Sequence, residues 1–362
     1  MSPAVAAIVE RVRDAHAAGR PLCIRAGGTK DFYGEAATGD VLDVRTLIGS
    51  ADHEPTELVV TAAAGMTLVD LEALLAQKGQ CLAFEPPRFG AASTVGGMVA
   101  AGLSGPSRAA AGSVRDHLLG VTLINGTGEL MHFGGRVIKN VAGYDVSRLV
   151  AGSLGILGIV VEVSLKVLAR PQAEATLRFD CRPGEALALL HGWGARPLPL
   201  DASAWWNGSL IVRLRGASAA VAGAARMLGG ETIPPAAAAP FWDSLRDQTD
   251  PFFVAAEEAI AHQDATLWRL SLPQTAPLLG LAGDELIEWH GAQRWLATAL
   301  PAAQVRDAAA AVGGHATAFR SRDKSAGVFA PLTPPLRGIH ERLKRSFDPK
   351  GILNPGRLYR DL

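Results

Sequence analysis

Two glycine-containing stretches carry the residues best suited to chemistry, and the chemistry they suit is the binding of a diphosphate. The first follows a short apolar run at residues 21–25 and reads Ala-Gly-Gly-Thr-Lys-Asp over residues 26–31. A strand that ends in two glycines and small polar residues favours a turn in which successive backbone N–H groups surround an anion. We therefore expect a phosphate to bind against Gly27 and Gly28.

The second stretch reads Ser-Thr-Val-Gly-Gly-Met over residues 93–98 and has the features of a helix start. Ser93 or Thr94 suits the capping position, and Gly96 and Gly97 leave the first turn without side chains. The unpaired N–H groups and partial positive charge of such a helix end attract pyrophosphate. Together, the two stretches predict one cofactor that carries two phosphates.

Two other interpretations of the second stretch were weighed. Residues 89–107 carry no charged side chain, and this length would admit a membrane span. Small residues and proline dominate there and strongly apolar side chains are few, which argues against a membrane helix. Glycine-rich packing without any ligand stays open, because about one residue in five between residues 84 and 158 is glycine, against a usual share of about 7%.

Apolar periodicity predicts the elements that position these stretches. Residues 22–25, 58–61 and 116–123 are predicted to be strands, and Gly65 ends the second of them. Thr67 opens a helix through a capping box, and Gly79 ends that helix. The face of this helix consists of leucines at positions 68, 71, 74 and 75. At the N-terminus, Ser2 caps a helix that begins with proline.

The chain changes character after Arg170 and Pro171, and all seven tryptophans lie beyond this point. Strand-like runs at residues 175–179, 209–213 and 267–272 alternate with Ala-rich stretches at 219–228 and 291–300, which we predict to be helical. Residues 233–240 read as a Pro-rich loop. This pattern predicts an antiparallel sheet with helices on one face, in an α+β protein. The tryptophans suit either ordinary packing or an exposed apolar patch for a partner.

Composition excludes several function classes. The 362 residues carry 35 basic and 35 acidic side chains, so no basic face for nucleic acid is expected. The three cysteines are far apart and read as reduced thiols that cannot ligate an iron–sulfur cluster by themselves. No histidine pair has the spacing of metal ligands, so no metal site is expected. The glycines at residues 152–158 lack the NAD pattern and precede a strand.

These stretches resemble the FAD-binding domain of the vanillyl-alcohol oxidase/p-cresol methylhydroxylase type. The resemblance rests on Arg-Ala-Gly-Gly-Thr at residues 25–29, on residues 86–97, and on the strings at 116–128, 139–145, 152–159 and 347–357. It implies a two-subdomain FAD-binding fold and a smaller cap. The residues it assigns to FAD are Arg25, Gly27, Gly28, Thr29, Lys30, Asp31, Pro86, Pro87, Gly90, Thr94, Gly96, Gly97, Gly102, Asp116, Ile159 and Asn354. Thr29 stands where covalently flavinylated members often have histidine, which implies dissociable, non-covalent FAD.

A narrower resemblance is to the FAD-binding subunits of bacterial glycolate oxidases, carried by residues 139–145 and 313–317. It implies a dehydrogenase complex that oxidises a small 2-hydroxy acid, glycolate, to glyoxylate. A sister FAD-binding catalytic subunit and an iron–sulfur subunit would be the partners. Because charged residues interrupt the N-terminal apolar pattern, no signal peptide or transmembrane segment is expected. We expect a cytoplasmic protein, or one held at the inner membrane through its partners.

Four further residues are candidates for facing the flavin or the substrate. Tyr144 lies close to the flavin ring by family analogy, and His315 could face it from the cap. A histidine hydrogen-bonded within a core or loop is the alternative for His315. Arg269 and Arg320 could each bind a substrate carboxylate through two hydrogen bonds, although a surface ion pair explains either arginine equally well. No catalytic residue is assigned.

The sequence thus predicts an FAD-binding domain over residues 1–170, a cap over 171–330 and a C-terminal return over 331–362. Two alternative functions stay open beside the glycolate oxidase subunit. One is a self-sufficient FAD-dependent oxidoreductase for another 2-hydroxy acid or alcohol. The other is a non-catalytic subunit that relays electrons or acts as a scaffold.

Overall fold

The structure is a computed structural model that describes residues 1–136 and 145–362. The chain forms two compact units. Unit 1 comprises Met1–Leu103, Ser113–Ala169 and Pro331–Leu362. Unit 2 comprises Ser104–Gly112 and Arg170–Ala330.

The described residues form the following helices and strands. The helices are α1 Pro3–Ala18, α2 Leu68–Ala76, α3 Val95–Ala101, α4 Arg108–Ala111, α5 Val114–His117, α6 Ser147–Val150, α7 Pro183–Gly194, α8 Ser218–Leu228, α9 Pro235–Asp247, α10 Pro251–His262, α11 Ala302–Ala311 and α12 Pro334–Phe347. The strands are β1 Leu22–Arg25, β2 Asp40–Asp43, β3 Asp52–Glu54, β4 Val59–Ala63, β5 Gln80–Cys81, β6 Leu118–Ile124, β7 Leu130–Gly134, β8 Ile159–Lys166, β9 Leu168–Ala169, β10 Ala173–Asp180, β11 Leu200–Trp206, β12 Ser209–Gly216, β13 Glu231–Ile233, β14 Thr266–Ser271, β15 Asp284–Glu288, β16 Gln293–Thr298 and β17 His315–Arg320.

Unit 1 is built on an antiparallel sheet with the order β3-β4-β8-β6-β7. The apolar faces of α2 and α3 pack on it, with Leu68, Leu71 and Met98 in the shared core. A separate pair, β1 and β2, is parallel, and Leu22 of β1 also bridges to Leu353 near the C-terminus. The end of the chain therefore returns to the strand that precedes the first glycine stretch.

The predicted helix starts in unit 1 are confirmed by their caps. The Ser2 side chain accepts a hydrogen bond from the Val5 amide at 3.3 Å, and α1 then buries its apolar face. Thr67 accepts from the Asp70 amide at 3.2 Å, as the capping box predicts. Each cap satisfies an amide that the helix itself leaves unpaired.

Unit 2 is built on an eight-stranded sheet with the order β13-β10-β12-β11-β15-β16-β14-β17. Every neighbouring pair in this sheet is antiparallel. One apolar cluster gathers α7 and α8 residues on β10, β11 and β12, and a second gathers α11 residues on β14, β16 and β17. The predicted α+β class with antiparallel sheets is confirmed.

A buried polar network joins the short segment at residues 104–112 to the sheet of unit 2. Ser107 donates to Asp201 at 2.9 Å and accepts from the Arg213 guanidinium at 2.7 Å. Arg213, only 1% exposed, also donates to Asp201 at 2.6 Å and lies over the Trp242 ring. Each polar group in this trio has a partner, which is the condition under which buried charge is tolerated.

Three local predictions were wrong. Residues 291–300 are not a helix, because they contain β16, which pairs with both β14 and β15. Residues 233–240 are not a loop, because α9 begins at Pro235, where a proline needs no N–H partner. Asp116 and His117 end the short helix α5, so the predicted strand begins only at Leu118.

Most of the tryptophans are packed inside unit 2 and do not form an exposed apolar patch. Five of the seven, at positions 193, 205, 242, 268 and 295, are less than 10% exposed. Trp289 donates its indole N–H to the Gly105 carbonyl at 3.0 Å. Across the described ranges, we find no helix with both the length and the apolar character that crossing a membrane requires.

Candidate functional site

A cleft in unit 1 brings together most of the residues that the sequence assigned to a cofactor. It holds about 810 Å³ of space, part of it open to solvent. Most of its lining comes from four segments: residues 24–31, α3 with Thr94 before it, residues 154–160 and the C-terminal pair Asn354 and Arg357. Residues separated by more than three hundred positions in the chain therefore share one wall.

The first of these segments, residues 25–31, is called loop 1 below. Gly28 adopts φ +70°, and the Asp31 amide donates to the Gly28 carbonyl at 3.1 Å, which closes a turn. Among the described residues, no acceptor bonds the backbone amides of Gly27, Gly28 and Thr29. Successive amides in a turn of this kind form a concave site for an anion.

Loop 1 lies directly against the segment that leads into α3. A Cβ atom added to Gly27 would stand 1.7 Å from the Ala92 carbonyl oxygen, so only glycine fits there. The Lys30 ammonium donates to Ser93 Oγ at 2.7 Å and to the Arg88 carbonyl at 3.3 Å. The structure therefore brings the two glycine stretches into contact.

Residues 94–97 of the second stretch are called loop 2 below. The bonding of their amides differs from the prediction. Thr94 caps α3, and its Oγ accepts from the Gly97 amide at 3.2 Å. The amides of Val95 and Gly96 donate to the carbonyls of Met66 and Ala64 at 2.9 and 2.8 Å. The expectation that these amides stay unpaired for a phosphate is wrong, because backbone carbonyls of unit 1 already satisfy them.

The glycines of loop 2 serve close packing as well. A Cβ atom added to Gly96 would stand 2.8 Å from the Ala64 Cβ and 3.1 Å from the Ala64 carbonyl oxygen. Gly96 thus allows the first turn of α3 to touch the chain just after β4. Thr94, Gly96 and Gly97 still line the cleft, so loop 2 forms part of its wall.

Asn354 lies in the cleft with both ends of its amide engaged. Its Oδ1 accepts from the Ile24 amide at 2.6 Å, and its Nδ2 donates to the Leu154 carbonyl at 2.7 Å. A side chain that bonds two backbone segments fixes their spacing. Ile159, which begins β8, lines the same cleft and is buried.

Arg357 is the charged residue in the cleft lining that the sequence analysis did not assign to the cofactor. It is 9% exposed, and its guanidinium donates to the carbonyls of Asp31 at 3.0 Å, Lys30 at 3.5 Å and Glu35. Burial lowers its pKa, while the nearby Asp31 raises it. The only sequence signal was its place at the end of the Asn-Pro-Gly-Arg string.

Five residues that the resemblance assigned to FAD lie outside the described lining of the cleft. Pro86 and Pro87 are buried in the segment that leads to loop 2. Gly90, at φ +138°, lies beside loop 1, because an added Cβ would contact the Thr29 side chain at 3.4 Å. Gly102 ends α3 at φ +66°, and Asp116 accepts hydrogen bonds from the Ser113 amide and hydroxyl at 2.8 Å.

The remaining candidates belong to unit 2 or to undescribed residues. Tyr144 lies outside the described residues, as do Lys139 and Asn140 of the same string. Arg320 forms an ion pair with Glu257 at 3.1 Å and donates to Gln248, which matches the structural alternative. Its pKa is lowered by burial.

Arg269 and His315 lie on neighbouring strands of the unit 2 sheet. Arg269 of β14 pairs with Thr317 of β17, and His315 lies two residues before Thr317 on the same strand. Burial lowers the pKa of His315, and the charge of Arg269 lowers it further. The Arg269 guanidinium also lies 5.8 Å from the centre of the Phe319 ring.

The cleft fits a dinucleotide that has one diphosphate and one extended ring system. Loop 1 supplies three amides that have no partner in the part of the chain that the structure describes, and Arg25 and Lys30 add positive charge beside them. Apolar walls come from Ile24, Val44, Leu154, Ile159 and Val160. This donor set suits the diphosphate and ring portions of FAD.

Comparison with known proteins agrees with this geometry. Residues 4–134 match a family described as FAD binding domain, so the chain carries an FAD-binding domain. The glycolate oxidase subunit GlcE of Escherichia coli is 45% identical over 98% of this chain and 97% of its own length. The glycolate oxidase subunit GlcD of Bacillus subtilis is 31% identical over 43% of this chain and 34% of its own length.

Further relatives and solved structures extend the likeness. A D-lactate dehydrogenase of Archaeoglobus fulgidus is 29% identical over 41% of this chain and 33% of its length. Two structures of alkyldihydroxyacetonephosphate synthase match 97% and 96% of this chain and 74% and 75% of theirs, with TM-scores of 0.65 and 0.67. Their sequence identity is 16% in both cases, so this likeness shows the fold alone.

Proposed function

The chain belongs to the family of the glycolate oxidase subunit GlcE, and from this premise we propose that it is the FAD-binding subunit of a glycolate oxidase complex. Identity of 45% over nearly the whole of both chains carries the proposal, since no large part of the relative lacks a counterpart here. The proposed reaction oxidises glycolate to glyoxylate. FAD, when bound, supplies a two-electron acceptor for the hydrogen on the hydroxyl-bearing carbon.

The chain's own contribution is to bind and orient that cofactor. Loop 1 would hold the diphosphate through the amides of Gly27, Gly28 and Thr29, with Arg25 and Lys30 balancing its charge. The apolar walls around Leu154 and Ile159 would exclude water from the ring portion. We propose non-covalent attachment, because Thr29 stands where a histidine would be needed.

Partners and location follow from the same proposal. We infer a sister FAD-binding subunit of the GlcD kind, since a glycolate oxidase subunit of that name is also a relative. We further infer an iron–sulfur subunit, because the three cysteines of this chain lie far apart in the sequence and cannot ligate a cluster by themselves. The complex would lie on the cytoplasmic side, with any membrane association provided by the partners.

Two parts of the prediction stay predictions. The division of function between an FAD-binding part, residues 1–170 with 331–362, and a cap, residues 171–330, is one of them. The other is the role of Arg269 and His315 toward the substrate or flavin. Arg320 is the weaker candidate, since its guanidinium already pairs with Glu257.

The test is to purify the chain alone and together with its co-expressed partners under anaerobic conditions. The proposal expects a yellow protein whose flavin is released by acid and identified as FAD. Glycolate should bleach the flavin of the assembled complex. If glycolate bleaches the flavin of the chain alone, a self-sufficient oxidoreductase is favoured. If the flavin bound to this chain is not reduced by glycolate even in the assembled complex, a scaffold is favoured. A colourless protein that does not take up added FAD would contradict the proposed function and the self-sufficient oxidoreductase.

A further inference from the structure

The C-terminal segment, residues 348–357, holds other parts of the cleft by their backbone. Arg357 donates to three carbonyls, those of Lys30, Asp31 and Glu35, at the end of loop 1 and just beyond it. A planar guanidinium that bonds several carbonyls fixes the orientation of those peptide groups. The Asp31 amide, which shares a peptide group with the Lys30 carbonyl, closes the turn onto Gly28.

The segment that carries Arg357 is itself rigidly fixed. The Lys344 ammonium, in the last turn of α12, donates to Asp348 at 2.8 Å and to the carbonyls of Ile156 and Leu353 at 2.8 and 2.7 Å. Asp348 is 1% exposed and accepts from the amides of Ile352 and Leu353. A buried side chain whose partners are themselves fixed is well suited to positioning.

The peptide groups that Arg357 holds adjoin the amides that face the cleft. Gly27, Gly28 and Thr29 present amides without partners among the described residues, whereas the carbonyls two or three residues later bond Arg357. Loop 1 is thus fixed through its carbonyls, and its amides stay available. An anion site of neutral amides depends on such preorganisation, because the amide dipoles must already point at the ligand before it binds.

We propose that Arg357 is a positioning residue for the FAD diphosphate, which it serves by holding loop 1 in its amide-presenting conformation. This inference rests on the proposed function, since it names how the same site is preorganised. The arginine acts through the carbonyls of Lys30, Asp31 and Glu35. Its effect should therefore fall on the part of FAD that loop 1 binds.

The test compares Arg357→Lys and Arg357→Gln with Arg345→Gln, a matched change at an exposed arginine of α12. Flavin fluorescence gives the Kd for FAD and for riboflavin, which has the ring system and no diphosphate. We expect the Kd for FAD to rise about tenfold to a hundredfold in the Arg357 variants. The Kd for riboflavin should stay unchanged in all three proteins.

A second readout keeps the inference testable if Arg357→Gln folds poorly. In the FAD-free Arg357→Lys protein, the amides of Asp31 and Tyr33, which donate to the carbonyls of Gly28 and Lys30, should exchange hydrogen faster than in the parent, while those of β4 and β8 stay protected. Equal weakening of FAD and riboflavin, or an unchanged Kd for FAD, would overturn the inference. A parent protein that binds no FAD would instead overturn the proposed function, and the inference with it.

Discussion

Loop 1 and loop 2 look alike in sequence, and the structure gives them different tasks. Each has a Gly-Gly pair within two residues of a threonine. In loop 1 the amides of Gly27 and Gly28 have no partner among the described residues, whereas in loop 2 the amides of Gly96 and Gly97 are both bonded within unit 1. One glycine pair leaves donors for a ligand, and the other allows two backbone segments to touch.

The difference shows that a glycine pair has two separate physical uses. Glycine permits φ above zero, as at Gly28, and this turns amides outward. It also permits close approach, as at Gly96 beside Ala64. Only the first use leaves hydrogen-bonding capacity for a diphosphate, so substitutions in the two loops should separate ligand affinity from stability.

The largest effect is expected for Gly27→Ala. The new Cβ would lie 1.7 Å from the Ala92 carbonyl oxygen, so loop 1 must move away from its neighbour. We expect no FAD to co-purify and a loss of stability of about 1–3 kcal/mol or more, measured by flavin absorbance and thermal unfolding.

Gly192→Ala in α7 is the matched control, because nothing lies within 4 Å of its added Cβ. It should raise stability by about 0.5–1 kcal/mol and leave FAD binding unchanged. If Gly27→Ala retained the parent Kd for FAD, loop 1 would not need its close contact with Ala92, and the comparison would fail.

A smaller effect on FAD is expected for Gly96→Ala. The new Cβ would meet the Ala64 Cβ at 2.8 Å and force α3 away from the chain after β4. We expect about 1–3 kcal/mol of lost stability and a rise in the Kd for FAD well below that of Gly27→Ala. Adding Ala64→Gly should restore part of the unfolding temperature, since it removes the atom that clashes.

A change at Thr94 tests whether loop 2 amides serve the ligand. Thr94→Val removes the oxygen that accepts from the Gly97 amide and preserves the shape of the side chain. Loss of this cap should cost about 1 kcal/mol of stability. The Kd for FAD in titration should change by no more than about threefold, because the lost hydrogen bond lies within α3 and does not involve the amides of loop 1. A hundredfold loss would show that loop 2 binds the diphosphate after all.

The smallest effect on affinity is expected from pH. Loop 1 presents backbone amides, which do not titrate between pH 5 and 8, so the Kd for FAD should stay flat in that range. Stability should change, because burial raises the pKa of Glu288 in unit 2 to about 7, although Trp295 and Gln293 donate to its carboxyl group. FAD titrations beside thermal unfolding at each pH would separate the two.

The sign of the stability change follows from proton uptake. Between pH 4.5 and 7 the folded protein holds the Glu288 proton and the unfolded chain does not, so the contribution of Glu288 to stability falls as pH rises, by up to about 3 kcal/mol. Glu288→Gln should remove this loss and unfold at a higher temperature than the parent at pH 7.5 but not at pH 5. Burial lowers the pKa of His290 to about 4. The titration of His290 therefore makes stability rise with pH. It does so in the parent and in Glu288→Gln alike, so it cancels when the stabilities of the two proteins are subtracted.

Much of unit 1 could be predicted because its signals are local. Caps at Ser2, Thr67 and Thr94 lie within three residues of the amides they satisfy, so sequence alone finds them. The bonds between Arg357 and loop 1 span more than three hundred residues, and no spacing rule reports such a contact. The pairing of loop 2 amides with Ala64 and Met66 is likewise set by tertiary packing.

The errors in unit 2 have the same origin. Residues 293–298 include alanine and leucine, which favour a helix in isolation. They form β16 because β14 and β15 offer hydrogen bonds on both sides. At residues 234–240 three prolines suggested a loop, but Pro234 and Pro235 occupy the cap and first turn of α9, where no N–H is required.

The interleaving of the chain has a consequence for how this protein can be divided. Ser107 belongs to unit 2 and bonds Arg213 of its sheet, although it lies sixty-three positions before Arg170, where the main part of unit 2 begins. A fragment cut at that arginine would leave the Arg213 and Asp201 pair without the hydroxyl that completes it. A gene fusion that transfers only residues 170–330 would therefore leave this buried polar network incomplete. A fusion that preserves the network must also include the nine residues Ser104–Gly112.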